Sequence, residues 1–247
     1  MLAYMYDFYN SHTLKGQNDD IKYYKEQIKY YNAKTVLIVG AGTGRVAIPL
    51  NDVAKVTALD FDEGRLEVLK EKLNSIETIC CNIKEFITNK QYDIIIFPYS
   101  TIQFSNSEVE IDSIIKQLLK FVSSNTVILF DISDSFRYKE DKENIFLFTD
   151  YCNEVSDKVS VYYTSKKNDK YIEFNVIYKL DSKNLSLLEH EKYYYYDEEM
   201  YKKLFKQNTL NILKIDQGYG DGNFTHKHIY HVKKGASFAM EKFYEKW

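Results

Sequence analysis

The chain has 247 residues, of which 45% are hydrophobic and 28% charged, so it can bury a sizeable core and lacks the composition of disordered or collagen-like chains. Its formal net charge is −3, which argues against nucleic acid as the main partner, because phosphate binding depends on a surplus of lysine and arginine. No stretch approaches the ~20 apolar residues of a membrane span, and the N-terminus lacks the basic and apolar regions of a signal peptide. We therefore expect a cytoplasmic protein that binds neither nucleic acid nor membrane.

The first 32 residues are polar and rich in tyrosine. Tyr6 and Asp7 belong to an aromatic cluster near the start, and a loop is predicted over residues 12–16. Residues 19–31 place apolar side chains at helical spacing, which predicts an amphipathic helix. We expect residues 1–32 to form a cap or lid on the part of the chain that follows.

The run Val-Leu-Ile-Val at 36–39 predicts a strand buried on both faces, and a turn with three glycines follows it directly. Gly40, Gly42 and Gly44 allow positive φ and let a ligand approach where a Cβ would collide. A helix is predicted from Val46, so its N-terminal amides would face the same point. This arrangement is typical of a nucleotide-binding loop.

The spacing of this loop differs from the commoner dinucleotide fingerprint G-x-G-x-x-G. The glycines run G-x-G-x-G, and Arg45 takes the place of the third fingerprint glycine, where it would crowd a pyrophosphate. A second strand at 56–59 ends at Asp60, whose carboxylate can accept hydrogen bonds from both hydroxyls of an adenosine ribose. The stretch therefore indicates a nucleoside site and argues against a dinucleotide.

This pattern resembles the first motif of the class I S-adenosylmethionine (AdoMet) methyltransferases: a hydrophobic run, G-x-G-x-G, a helix, and an acid that ends the second strand. The resemblance implies AdoMet as cofactor, S-adenosylhomocysteine as product, and a glycine loop that lies against the methionine part. It also implies that Asp60 binds the ribose, that Asn82 accepts from the adenine amino group where the family usually has Asp, and that the Ile83 amide meets the ring. The predicted cofactor-binding residues are Gly40, Ala41, Gly42, Gly44, Arg45, Asp60, Phe61, Asn82, Ile83, Phe97 and Tyr24.

The fourth predicted strand (92–97) is followed by an aromatic loop that begins Pro98-Tyr99. Ligands of open α/β sheets bind at the carboxyl ends of strands where the strand order reverses, so this loop should face the glycine loop. Phe97 and Tyr99 should therefore border the transferred methyl group. Nucleic-acid amino-methyltransferases have Asp/Asn-Pro-Pro-Tyr at this place, so Phe97 followed by a single proline argues against base methylation.

Strands and helices alternate from residue 35 to residue 131, which implies a parallel sheet with right-handed crossovers. The fifth strand (126–130) is closed by Asp131, and Asp134 follows shortly after it. A closing hairpin is predicted within residues 210–232. The sequence therefore predicts an α/β fold, with a Rossmann-like, doubly wound, mostly parallel seven-stranded sheet.

The alternation of polar and apolar residues from 144 to 196 predicts an antiparallel β layer inserted over the active site. In methyltransferases related to the glycine, sarcosine and amino-sugar N-methyltransferases, such an insertion roofs the acceptor site, and an N-terminal segment with Tyr-Asp closes it. The resemblance thus implies a single methyltransferase domain with five parts. These are the cap 1–32, the cofactor-binding core 33–135, the substrate-covering insertion 136–196, the closing helix and hairpin 197–234, and the tail 235–247.

Three cysteines, two of them adjacent, give neither a CxxC pair nor an even disulfide framework. We interpret Cys80, Cys81 and Cys152 as small core residues in a reducing compartment. The sequence shows no cluster of histidines and carboxylates at metal-ligand spacing, so no metal site is predicted. His190 and His226 are candidates for a general base in the case of a hydroxyl acceptor.

Methyl transfer from a sulfonium is an in-line displacement. When the acceptor is a neutral amine, positioning of the reactants and loss of water can supply most of the rate enhancement. Tyr6, Tyr99 and Asp131 are the predicted catalytic residues, since a carboxylate near the amine would orient it and stabilise the cation that forms. We expect a monomeric or homodimeric enzyme that methylates a small molecule or a peptide end, at nitrogen rather than oxygen. Two alternatives stay open: an NAD-dependent oxidoreductase, which Arg45 and the aromatic loop disfavour, and a non-catalytic AdoMet-binding protein.

Overall fold

The computed structural model describes residues 1–14, 18–133, 141–219, 224 and 226–235, and these form two β-sheets with flanking helices. In those ranges, no helix combines the length and apolar character needed to cross a membrane. The helices are α1 (Leu2–Thr13), α2 (Asp19–Tyr30), α3 (Ala47–Leu50), α4 (Glu63–Lys72), α5 (Glu108–Leu118) and α6 (Glu198–Gln207). The strands are β1 (Thr35–Val39), β2 (Lys55–Asp60), β3 (Glu77–Cys80), β4 (Ile94–Phe97), β5 (Val127–Ser133), β6 (Lys142–Cys152), β7 (Asp157–Lys167), β8 (Tyr171–Leu180), β9 (Leu185–Tyr194), β10 (Leu210–Gln217) and β11 (Lys227–Lys234).

The larger sheet has the strand order β10-β11-β5-β4-β1-β2-β3. The strands from β5 to β3 run parallel, whereas β11 is antiparallel to both of its neighbours. Leu37 and Val39 pack into one core cluster, with residues of α5 and α6, while Val36 and Ile38 pack into another, with residues of α2 and α3. Because both faces of β1 are covered, its run is apolar without alternation. The predicted doubly wound, mostly parallel α/β sheet is confirmed.

The order of the larger sheet also locates the functional edge. β1 is followed in sequence by β2 on one side, whereas β4 lies on its other side, so the strand order reverses at β1. Open α/β sheets bind ligands at the carboxyl ends of the strands at such a reversal. The loops after β1, β2 and β4 therefore surround the candidate site.

The smaller sheet is antiparallel, with the strand order β6-β7-β8-β9, so the predicted β layer is confirmed. Alternate residues of β8 are buried, and α1 packs on this inner face through Met5 and Phe8. Strand β6 begins two residues before the range predicted for this layer, and its pattern is the least regular of the four strands. Two register shifts in its pairing with β7 interrupt the period-two pattern on which a strand prediction depends.

Three local predictions are wrong in the structure. Helix α1 extends to Thr13, so the loop predicted from residue 12 begins too early, because packing on the smaller sheet stabilises the helix. Strand β5 continues past Asp131 to Ser133, since β11 pairs with it along its whole length. Cys80 is exposed rather than part of the core, because it ends β3, the edge strand of the larger sheet.

A buried histidine joins α2 to the β10–β11 edge of the larger sheet. His231 is fully buried, and its Nε2 and Nδ1 lie 2.6 Å and 2.9 Å from the hydroxyl oxygens of Tyr23 and Tyr31. The Tyr23 hydroxyl also donates to Asp216 Oδ2 at 2.7 Å, and Lys214 Nζ donates to the same oxygen. Burial, followed by the charge of Lys214, lowers the pKa of His231 to about 4, so the folded protein holds a neutral imidazole near pH 7.

We predict that this histidine makes the fold sensitive to acid between pH 7 and pH 5. The unfolded chain binds a proton at His231 in this range, because the ordinary pKa is 6.5, whereas the folded chain does not. The contribution of His231 to the free energy of unfolding should therefore fall by about 2 kcal/mol at pH 5. Urea denaturation at both pH values should show that the His231→Gln variant loses about 2 kcal/mol less than the wild type. Equal losses in the two proteins would contradict this prediction.

Candidate active site

The glycine loop between β1 and α3 has the conformation that its sequence predicts. Gly40 and Gly42 have φ angles of 75° and 54°, in the left-handed region that favours glycine. The Gly40 amide donates to the carbonyl of Leu59 at 2.8 Å, which ties the loop to the end of β2. A Cβ on Gly40 would lie 2.5 Å from Thr101 Cγ2, so the segment after β4 packs directly on the loop. The helix predicted to follow is a single turn, α3.

Asp60 ends β2 beside the glycine loop and is 4% exposed. Its Oδ2 accepts from the Gly42 amide at 2.7 Å, and its Oδ1 accepts from the Asp62 amide at 3.0 Å. Each carboxylate oxygen can accept a second hydrogen bond, so acceptor capacity is left for a ribose hydroxyl. Asp60 therefore fixes the shape of the glycine loop and also stands at the predicted ribose position.

Phe61, a predicted cofactor-binding residue, and Asn82 and Ile83, the predicted adenine contacts, follow two neighbouring parallel strands, β2 and β3. Phe61 is 74% exposed, so its ring is open to a flat ligand. The Asn82 Oδ1 accepts from the Lys84 amide at 3.0 Å and so shapes the turn that holds Ile83. The structure thus brings Phe61, Asn82 and Ile83 to the same edge of the sheet as Asp60.

Helix α1 covers the glycine loop. A Cβ on Gly42 would lie 3.5 Å from Tyr6 Cε1, so the Tyr6 ring stands directly over this glycine. The Asp7 carboxylate accepts from the Thr43 hydroxyl at 2.7 Å and from the Lys72 ammonium. Burial raises the pKa of Tyr6 to about 12, so its hydroxyl keeps its proton at neutral pH and is unsuited to act as a base.

Arg45 connects the glycine loop to α2. Its guanidinium forms a two-point ion pair with Asp20, in which Nη1 lies 3.1 Å from Oδ1 and Nη2 contacts Oδ2. Asp20 is 5% exposed, so the pair is largely withdrawn from water. The guanidinium carbon also lies 5.3 Å from the centroid of the Tyr99 ring. Arg45 therefore stands where α2, the glycine loop and the segment after β4 meet.

Asp131 is the centre of a buried network below the segment after β4. It is fully buried, and its Oδ1 lies 3.0 Å from Lys227 Nζ. Its Oδ2 accepts from the hydroxyls of Tyr24 and Tyr219 at 2.8 Å and 2.6 Å, and from the Tyr99 amide at 3.0 Å. Burial opposes ionisation, but the Lys227 ammonium and the two tyrosine hydroxyls outweigh it and lower the pKa of Asp131.

Three of the predicted site residues have buried side chains in the structure. Asp131 and Tyr24 are fully buried and bonded to each other, so neither is open to an acceptor or a cofactor. Phe97 is 1% exposed and belongs to the core, because both faces of β4 are covered. Tyr99, in contrast, is half-buried and lines a cavity. Asp134 falls outside the described residues.

A cavity of about 360 Å³ lies between α1, the segment after β4 and the inner face of the smaller sheet. Two carboxylates of β9, Glu189 and Glu191, stand in its wall. Tyr193 and Tyr195 line the same wall, because alternate residues of a strand share a face. The aromatic residues that line the cavity are Tyr6, Tyr9, Tyr99, Tyr163, Phe174, Tyr193 and Tyr195.

Arg65 at the start of α4 holds the two glutamates of the cavity wall. Its Nη2 lies 2.6 Å from Glu189 Oε1 and 3.5 Å from Glu191 Oε1, and its guanidinium carbon lies 4.1 Å from the centroid of the Tyr6 ring. The Tyr178 hydroxyl donates to Glu189 Oε2 at 2.8 Å. Burial and the neighbouring Glu191 raise the pKa of Glu189, while Arg65 opposes the rise. One guanidinium faces two carboxylates on this wall, and the side chain of Lys142 lines the cavity as well.

Arg65, Glu189, Glu191 and Lys227 are site residues that the sequence patterns did not indicate. A signal for the glutamates was present, since Glu-x-Glu-x-Tyr-x-Tyr on a strand puts all four side chains on one face. Lys227 gave no signal of this kind, because its partner Asp131 lies in a distant part of the sequence.

The central part of the chain matches a known family. Residues 36–125 match the family model described as a methyltransferase domain. A curated relative, the malonyl-(acyl-carrier protein) O-methyltransferase of Priestia megaterium (strain DSM 319 / IMG 1521), is 31% identical over 110 residues. The match covers 42% of this chain and 39% of the relative, so it spans about two fifths of that protein.

Several solved structures are similar to nearly the whole chain. An S-adenosylmethionine-dependent methyltransferase from Clostridium acetobutylicum ATCC 824 has a TM-score of 0.79 at 19% identity, over 94% of this chain and 98% of its own. CalS10, an amino pentose methyltransferase from Micromonospora echinaspora with SAM bound, has a TM-score of 0.74 at 12% identity, over 93% and 96%. The sugar N-methyltransferase KedS8 from Streptoalloteichus sp ATCC 53650 has a TM-score of 0.77 at 12% identity, over 93% and 92%. At such low identities these similarities show the fold.

The fold, the domain match and the local geometry agree on one class of protein. Gly42 without a side chain, the acid at the end of β2 and the exposed ring of Phe61 fit a nucleoside with an amino-acid tail. Residues 36–125 therefore correspond to a methyltransferase domain, and the chain has the fold of S-adenosylmethionine-dependent methyltransferases.

The substitution Gly42→Val should abolish cofactor binding while the protein stays folded. Valine would strain a backbone with φ of 54° and would place its methyl groups towards Tyr6, in the space that the methionine part needs. Calorimetric titration with S-adenosylhomocysteine should show an affinity loss of at least about 100-fold. Gly64→Ala, a change in helix α4, is the control and should bind normally. Unchanged affinity of Gly42→Val would rule out the glycine loop as the cofactor site.

The substitution Asp60→Asn should weaken S-adenosylhomocysteine binding by about 1.5–3 kcal/mol, or roughly 10- to 150-fold, the range for hydrogen bonds to a charged group. Asp62→Asn is the matched control, because Asp62 caps α4 by accepting from the Arg65 amide at 3.1 Å and asparagine can do the same. Its affinity should stay within about twofold of the wild type. Equal losses in the two variants would count against a ribose contact of Asp60.

Proposed function

We propose that this protein transfers the methyl group of AdoMet to the nitrogen of a small-molecule or peptide-end amine that binds in the cavity below the smaller sheet. The observation that carries the proposal is the shared wall between the cavity and the cofactor loop. Tyr6 lines the cavity and stands over Gly42, and Tyr99 lines the cavity beside Arg45. A methyl group presented from the methionine end of the loop would therefore face the cavity.

The chemistry of the cavity wall favours an amine as acceptor. Glu189 and Glu191 place two carboxylates on the β9 wall, where Arg65 pairs with them and can balance one charge, while Lys142 lines another part of the cavity. Aromatic rings surround these carboxylates, and the faces of such rings attract cations. An amine acceptor is cationic before it loses a proton and again after methylation. The structural neighbours named as amino pentose and sugar N-methyltransferases are consistent with this acceptor class.

The proposed reaction needs a neutral amine, since only a free lone pair can displace the sulfonium. Glu189 is the candidate to take the proton of the bound ammonium, because it lines the cavity and burial raises its pKa. Tyr6 and Tyr99 would orient the amine, and helix α1 would exclude water from the transfer. Asp131 would act indirectly, through the Tyr99 amide that it holds.

A hydroxyl acceptor has weaker support, because it would need a well-placed base. His190 was a candidate, but its side chain is exposed and contacts Glu173 and Asn175. Its neighbours Glu189 and Glu191 line the cavity, so the imidazole points to the opposite face of the sheet. An assay for turnover distinguishes the proposed enzyme from the remaining alternative, a non-catalytic AdoMet-binding protein.

The test is incubation with AdoMet and paired acceptors, each amine matched to its hydroxyl counterpart: glycine with glycolate, glucosamine with glucose, and a short peptide with its N-acetyl form. Formation of S-adenosylhomocysteine is measured together with the mass of the acceptor. We expect methylation of one or more amines and none of the hydroxyl counterparts. Cofactor binding without turnover of any acceptor would contradict the proposal and favour a binding protein, while methylation at oxygen would overturn the choice of nitrogen.

The variant Glu189→Gln tests the role of the cavity wall. It should lower kcat/KM for the amine at least about tenfold, because proton transfer of this kind contributes about 10²- to 10⁴-fold. Affinity for S-adenosylhomocysteine should change little, which separates acceptor effects from cofactor effects. Glu173→Gln is the control, since Glu173 pairs with Lys192 at 3.1 Å and with His190 on the outer face of the sheet. Similar losses in both variants would show that Glu189 has no special role.

A further inference from the structure

The segment that follows β4 contains two successive residues in an unusual backbone conformation. Tyr99 and Ser100 have φ angles of 49° and 67°, in the left-handed region where residues other than glycine are strained. Such strain persists only where the surrounding structure holds it, and it concentrates at functional sites. The contacts that hold this turn therefore indicate what the turn is for.

A buried ion pair supports both residues of the turn. Lys227 is 1% exposed, and its Nζ donates to Ser100 Oγ at 2.8 Å and lies 3.0 Å from Asp131 Oδ1. The other oxygen of Asp131 accepts from the Tyr99 amide at 3.0 Å. The Ser100 hydroxyl also lies 2.7 Å from Ser133 Oγ. Each strained residue is thus bonded to one member of the pair.

The same lysine stands beside the ring that the turn presents. Lys227 Nζ lies 4.8 Å from the centroid of the Tyr99 ring, and the guanidinium carbon of Arg45 lies 5.3 Å from it. Strand β11 delivers Lys227 to this place by pairing with β5, where Lys227 is opposite Ser133. Burial of a lysine is costly, so its position beneath a strained turn at the cavity calls for an explanation beyond packing.

We propose that Lys227 is a positioning residue of the methyl-transfer site. Through Ser100 and Asp131 it holds the turn after β4 and thereby sets where the Tyr99 ring lies in the acceptor cavity. The lysine does not act on the reacting atoms. The inference rests on the proposed function in one respect, namely that the cavity bordered by Tyr99 is the acceptor site.

Hydrogen exchange tests whether Lys227 holds the turn after β4, and this measurement needs no acceptor. The variant Ser100→Ala removes the hydroxyl that Lys227 holds and leaves no buried charge unpaired. A double variant, Lys227→Met with Asp131→Asn, removes the ion pair as a whole, so neither charge is left alone. Both should raise the exchange rates of the amides in residues 99–104 at least tenfold, while those of 35–39 in β1 stay unchanged. Ser105→Ala, at a buried serine of the same segment, is the control and should leave all these rates unchanged.

The kinetic part uses whichever amine the wild type methylates. For Ser100→Ala we expect kcat to fall at least tenfold, with the KM for AdoMet and the affinity for S-adenosylhomocysteine within twofold of the wild type. A purely structural role would instead lower the thermal midpoint and speed exchange throughout the larger sheet. That result, or unchanged exchange in 99–104, or an equal effect of Ser105→Ala, would overturn the inference. A wild type that methylates no amine would refute the proposed function, and the exchange comparison would still decide whether Lys227 holds the turn.

Discussion

The buried ion pair of Asp131 and Lys227 is the interaction on which the candidate site depends. A carboxylate with no exposure, within the larger sheet, is tolerated only when it is paired and hydrogen-bonded. The lysine comes from β11, the strand that runs against its neighbours. Asp131 then binds the hydroxyls of Tyr24 and Tyr219 and so anchors α2. The closing hairpin therefore supplies a charge that organises the floor of the cavity, in addition to completing the sheet.

Arg65 has a corresponding role at the opposite wall. It lies on α4, which follows the strand that ends at Asp60. Its guanidinium contacts Glu189 and Glu191 of the smaller sheet and stands over the Tyr6 ring of α1. Helix α4, helix α1 and strand β9 thus meet at the planar guanidinium of Arg65. A lysine at this position could not make all of these contacts, because its ammonium is a compact point charge. The cavity and the cofactor loop share a wall because of this junction.

Local patterns were sufficient to predict the glycine loop and the acid that ends β2. The apolar strand, the three glycines and Asp60 lie within a short stretch, so their arrangement depends mainly on near neighbours in sequence. The burial of Tyr24, Phe97 and Asp131 depends on strands and helices that are distant in sequence. These three were predicted as site residues from their places at strand ends or from the family resemblance. Lys227 was overlooked for the same reason, because nothing near it in sequence indicates that it pairs with a buried carboxylate.

This difference between the cofactor and acceptor parts of the site follows from what each must bind. The cofactor is the same molecule in every turnover, so a short motif that fixes backbone geometry can encode its site. Methyl transfer by in-line displacement depends on positioning, and the proposed acceptor is positioned by α1, the turn after β4 and the inner face of the smaller sheet together. If the proposed function holds, a charge change at Glu191 would alter the acceptor while leaving the glycine loop intact, since this side chain contacts Arg65 and Tyr193. Acceptor choice can therefore change on β9 without loss of cofactor binding.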